Sequence, residues 1–111
     1  MKNHTLVNLT PHAITVAGAS GETLAGLPPS GEIARVSVTR SESGQVAGLP
    51  VFRSVTGDVV GLPTPADGVG YVVSAMVRAA VPTRRDVFSP GTLLRGADGQ
   101  PVGCVGLEAN P

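Results

Sequence analysis

Tryptophan is absent, and the aromatic side chains are only Phe52, Tyr71 and Phe88. Stacking surfaces are therefore scarce, and Val, Leu, Ile and Ala must supply the core. Cysteine occurs once, at Cys104, which excludes an internal disulfide and a cysteine cluster for zinc or iron. Lysine also occurs once, at Lys2, and the other seven basic residues are Arg35, Arg40, Arg53, Arg78, Arg84, Arg85 and Arg95. Eight basic and eight acidic residues cancel, so no overall field draws in a nucleic-acid polymer or an acidic membrane. Charge-based recognition must rest on a local cluster. Long apolar runs are missing too: nothing approaches the ~20 residues of a membrane helix. The opening MKNHTLVNLTPHAITV is broken by Asn3, His4, Asn8, Thr10 and His12, unlike a signal peptide. These absences predict a soluble cytoplasmic protein with no membrane partner, in which the triplets Asn3-His4-Thr5 and Asn8-Leu9-Thr10 are chance matches to a glycosylation signal.

What is present is a chain of 111 residues punctuated by 15 Gly and 10 Pro, with runs rich in Val, Thr, Ile and Leu between them. That length suits one domain, residues 1–111, and that punctuation predicts strands joined by tight turns. LVNLT, closed by Pro11, and AITVAG, ending in GASG, are the first two strands and are expected to pair. GEIARVSVTR alternates Ile33, Arg35, Ser37 and Thr39 against Ala34, Val36 and Val38, as a half-buried antiparallel strand does. SESGQ is expected as a loop after it, and PVFRSV-TG-DVVGLP as a hairpin. Gly-Leu-Pro recurs at Gly26, Gly48 and Gly61 without a regular spacing; a free backbone, an apolar plug and a missing N–H together mark strand ends. YVVSAMVRAAV shifts to helical period, with Val73, Met76, Val77, Ala80 and Val81 on one side and Arg78 on the other, capped by Ser74 and stopped by Pro82. Asp98-Gly99 predicts a hairpin turn. The expected fold is mainly β, a small antiparallel barrel or sandwich of short strands with one short α-helix near residues 74–81.

No catalytic residues are predicted. His12 has an imidazole suited to proton transfer, but no nucleophile elbow or paired acid accompanies it, and NLTPHA reads as a turn shaped by Asn8 and Pro11. His4 and His12 lack a third ligand, so no metal is expected. GLPPSGE and GVGYVV lack the strand-to-helix setting of a phosphate loop, so no cofactor is expected either.

The remaining candidate is RAAVPTRRDVFSPG. Arg78, Arg84 and Arg85 fall within eight residues, beside Ser89, in what the flanking Pro82 and Pro90 define as a positioned loop. Guanidinium forks match phosphate or carboxylate, and Phe88 offers a stacking face. The competing reading is structural, with Asp86 clamping an arginine and Phe88 covering the core. A GC-rich genome also raises Arg, Gly, Ala and Pro together. Arg35 and Arg53 are weaker additions, each in an alternating strand where a charge ordinarily marks the solvent face.

With NLTPHAITV, GLPTP, YVVSAMVRAA, RRDVFSPG and GADGQPVGCVGL together, most of the chain resembles a family of small phage and bacterial proteins of unassigned function. It is also similar to phage anti-defence proteins that sequester cyclic-nucleotide or cyclic-ADP-ribose signals. That second likeness implies a non-enzymatic homo-oligomer with a shared pocket for an anionic small molecule. The expected function is thus a binding module using Arg78, Arg84, Arg85, Phe88 and Ser89. The alternative is a structural or assembly protein forming homo-oligomers or part of a larger particle.

Overall fold

A computed structural model describes residues 5–111. His4 and Asn3, the first two residues of the Asn3-His4-Thr5 triplet, lie outside them. The elements are β1 (Thr5–Asn8), β2 (Ile14–Ala17), β3 (Thr23–Leu27), β4 (Arg35–Val46), β5 (Leu49–Val60), β6 (Val69–Val72), α1 (Ala75–Ala80), β7 (Val87–Arg95) and β8 (Pro101–Ala109). The fold is mainly β with one short helix, as expected. β1, β6, β7, β8, β2 and β3 follow one another in a six-stranded, nearly closed barrel-like sheet, and β4 and β5 form a separate two-stranded ribbon.

Strand direction in the sheet is mixed. β1–β6, β6–β7 and β2–β8 are parallel, while β7–β8 and β2–β3 are antiparallel. Parallel neighbours need a crossover, and α1 is the crossover between β6 and β7. The expected β1–β2 pairing does not form. β1 lies along β6, and β2 turns through residues 18–21 into β3, where Gly18 N–H donates to the Glu22 carbonyl. What redirects the chain is Asn8, 2% exposed. Its amide donates to the His12 and Leu27 carbonyls, and its oxygen accepts from Thr10 N–H and Oγ1. NLTPHA is therefore a turn held by one buried amide.

Two turn expectations fail in the ribbon. SESGQ and the Thr56-Gly57 step are both inside strands: β4 and β5 run twelve residues each, in register from Arg35 opposite Val60 to Val46 opposite Leu49. The extra residues are absorbed as bulges, near Gly57–Asp58 and at Ser43. The turn is instead Ala47-Gly48, both at positive φ (51° and 80°), the backbone that a two-residue hairpin requires. The second Gly-Leu-Pro therefore opens a strand, whereas those at Gly26 and Gly61 do end strands. Gly61 has φ +82°, and a Cβ there would meet the Ile33 carbonyl oxygen at 2.5 Å.

The core joins Leu9, Ala34, Tyr71, Val73, Val77 and Val87, with Val36 and Val59 of the ribbon's root packed against it. Ser74 caps α1, its hydroxyl accepting from Val77 N–H at 3.2 Å. Met76, expected on the buried side, is 55% exposed, because only one narrow stripe of a six-residue helix can face the sheet. Phe88 and Ser89, expected in a loop, belong to β7, and the loop before it covers only residues 81–86. Pro90 is tolerated in that strand because β6 pairs with β7 no further than Phe88, so its missing N–H leaves no partner unpaired.

Candidate functional site

The arginine cluster is built by α1, the loop after it and the start of β7. Arg78 was expected on the solvent face of the helix. It lies half-buried instead, with Nε donating to Ser89 Oγ at 2.8 Å and Nη1 to the Ala109 carbonyl and Asn110 Oδ1, both at 3.2 Å. Arg84 grips Asp86 with two parallel bonds, Nε to Oδ1 and Nη2 to Oδ2, each 2.8 Å, and Nη2 also reaches the Pro63 carbonyl at 2.9 Å. The bidentate bond holds the Asp86 carboxyl below its ordinary pKa and raises that of Arg84, with burial opposing both shifts. Arg85 is exposed, and its Nη1 donates to the main-chain oxygens of Asn110 and Pro111 at 3.3 and 2.6 Å.

Asn110, 8% exposed, joins these groups. Its amide nitrogen donates to the Val81 and Arg84 carbonyls at 2.8 and 3.1 Å while its oxygen receives Arg78. No periodicity or motif in GLEANP signals that role. The five sequence candidates thus divide into separate settings. Arg78 and Ser89 are bonded together beneath residues 109–110, and Arg84 turns toward Pro63. Arg85 and Phe88 line an open groove of about 390 Å³ with Leu6, Gly70, Asp67 and Asp86. That groove carries carboxylates as well as the one guanidinium.

The sequence placed strands at GEIARVSVTR and PVFRSV, but not the second feature, the long arm that β4 and β5 make by pairing with each other. At about 3.3 Å per residue, twelve-residue strands make a ribbon about 40 Å long. The register sorts its side chains onto two faces. One face carries Val46, Leu49, Val51, Val55 and Val60 with Thr39, Ser41, Arg35 and Arg53. The other carries Val38, Arg40, Glu42, Phe52 and Thr56, with the Arg40 guanidinium 4.1 Å from the centre of the Phe52 ring. Leu49 is 67% exposed, Val46 and Val60 66% and Val55 63%.

A second groove, also about 390 Å³, runs between β2, β7 and β8 and is lined by His12, Ile14, Pro90, Leu93, Pro101 and Val102 among others, none of its lining residues being Asp, Glu, Lys or Arg. Cys104 lies at its floor, buried, with its thiol donating to the Gly106 carbonyl. Among the described residues no group of three metal-binding side chains occurs, and no helix is long and apolar enough to cross a membrane. No protein-family model, curated protein or solved structure matches this chain.

Proposed function

We propose that this chain is a non-enzymatic assembly subunit that associates with protein through its β4–β5 arm. The observation that carries this reading is the arm's exposed apolar face, Val46, Leu49, Val51, Val55 and Val60. A two-stranded hairpin in water is marginal by itself, and an apolar stripe of this extent on a ribbon with free edges is a template for another protein surface. One face of a ribbon about 40 Å by 10 Å offers about 400 Å², half the share that one partner contributes to a standard interface.

Replacing residues 39–55 by Asn-Gly closes the ribbon just beyond its anchored root, next to the Val38–Thr56 pair. Sedimentation is expected to show the full chain self-associating at micromolar concentration and the shortened chain remaining a folded monomer. Equal masses for the two at every concentration would remove this reading.

The other reading, an anionic small molecule bound by Arg78, Arg84, Arg85, Phe88 and Ser89, draws on the same loop chemistry. A phosphate there must compete with Asp86, Ser89, Asn110 and main-chain oxygens for the N–H groups they already receive. Millimolar mono-, di- and cyclic nucleotides are accordingly expected to leave the melting temperature unmoved; a saturable rise that disappears in Arg85→Ala would favour ligand binding instead.

A further inference from the structure

We infer that the surface receiving the arm is on a second copy of this chain, with the tip Val46–Pro50 seated in the uncharged groove between β2, β7 and β8. This rests on the reading of the arm as an assembly device and names its partner.

Four observations support that pair of surfaces. The tip is apolar and uncharged: Gln45, Val46, Ala47, Gly48, Leu49, Pro50 and Val51 contain no ionisable group, and Val46 and Leu49 are about two-thirds exposed. The groove matches it in character, since none of its lining residues is Asp, Glu, Lys or Arg, although the chain has sixteen of these among 111 residues, eight of each sign. Leu93 and Val102 at the groove are 51% and 60% exposed, so both halves of the contact present apolar surface to water. A volume of about 390 Å³ lies within the range that encloses a drug-sized ligand and suits the few side chains of a hairpin tip. Desolvating such a pair strands no carboxylate, ammonium or guanidinium group on either side.

The contact must be made between copies. The arm is anchored at its root, through Val36 and Val59, to the core beside α1, and among the described residues no strand or helix other than α1 makes a sizeable contact with it. Because tip and groove are different patches of one molecule, each copy has both a donor and an acceptor surface. Two copies that exchange tips reciprocally form a two-fold dimer, and a one-way contact closes into a ring or propagates as a filament.

The test mixes a Leu49→Cys chain with a size-tagged Leu93→Cys chain and a short bis-maleimide, and uses Leu24→Cys, on the exposed face of β3, as the control partner. Cys104 stays in place in all of them, because it is 1% exposed and shielded from the reagent. The 49–93 product is expected to exceed the 49–24 and 49–49 products at least tenfold. Leu93→Asp and Val102→Asp, both at exposed positions, are expected to weaken self-association at least tenfold while leaving unchanged the melting temperature measured at a dilution where the wild type is monomeric. If the three cross-links form equally and the groove variants associate normally, while shortening the arm still abolishes association, the groove is overturned as the receptor and the arm reading stands. If shortening the arm changes nothing, the arm reading itself falls.

Discussion

Asp86 decides how free Arg84 is. Its carboxylate takes both prongs of the guanidinium, and the two side chains are only 17% and 20% exposed. A bidentate pair at that depth is stronger than an ordinary surface ion pair. Asp86→Asn is expected to cost about 1–2 kcal/mol and lower the melting temperature by about 5–10 °C at pH 7. The pH dependence follows from the sign of the shift. Asp86 titrates below its ordinary value when folded, so its contribution is complete above the unfolded pKa of about 3.9 and is lost as pH falls through the folded pKa. The gap between wild type and variant should therefore close on acidification below about pH 4, and a gap constant from pH 7 to pH 2 would show that the pair contributes nothing through charge. The adjacent pair Arg84-Arg85 was legible in the sequence as a place where something polar happens, and the clamp with Asp86 was one of its two readings. The hub at Asn110 was not legible, because its partners Arg78, Val81 and Arg84 come from a segment 26 to 32 residues away and meet it only after β7 and β8 have paired.

At the scale of elements, local pattern was a good guide wherever a contact was local. The helix with its Ser74 cap, the β2–β3 turn and the Asp98-Gly99 hairpin all stand where sequence placed them. It misled where Gly occurred inside a strand. Gly44 and Gly57 sit at the two bulges of the arm, and a bulge tolerates the same residue that a turn requires. The true turn has Ala47 at φ 51°, a conformation that Ala adopts at a cost and Asn tolerates. Ala47→Asn is expected to stabilise the arm locally by about 0.5–1 kcal/mol and to slow amide exchange across the β4–β5 pairs about two- to fivefold. The global melting temperature should not move, since the arm beyond Val36 and Val59 is outside the core. A higher melting temperature with exchange slowed equally in the arm and the core would place the arm inside the cooperative unit.

Over the whole molecule, the radius of gyration is 16.8 Å with extents of 55 × 39 × 27 Å, against about 13 Å for a compact domain of this length. The excess reflects the arm, whose unburied apolar surface is what the proposed association would cover. Association of folded chains also adds stability that grows with concentration. The melting temperature of the full chain should thus rise with concentration and that of the arm-shortened chain should not, a second reading of the sedimentation test. The sequence by itself determined that the fold is β-rich, that the one helix spans the segment after Ser74, and that polar chemistry concentrates around Arg84 and Arg85, because alternation, capping and charge clustering act over a few neighbouring residues. Only the tertiary structure decided that three strand pairs are parallel, that Asn8 and Asn110 tie distant segments together, and that residues 35–60 stand off the body as an arm. Those outcomes depend on which distant strands find one another, and on whether an alternating apolar strand meets a core or is left facing water.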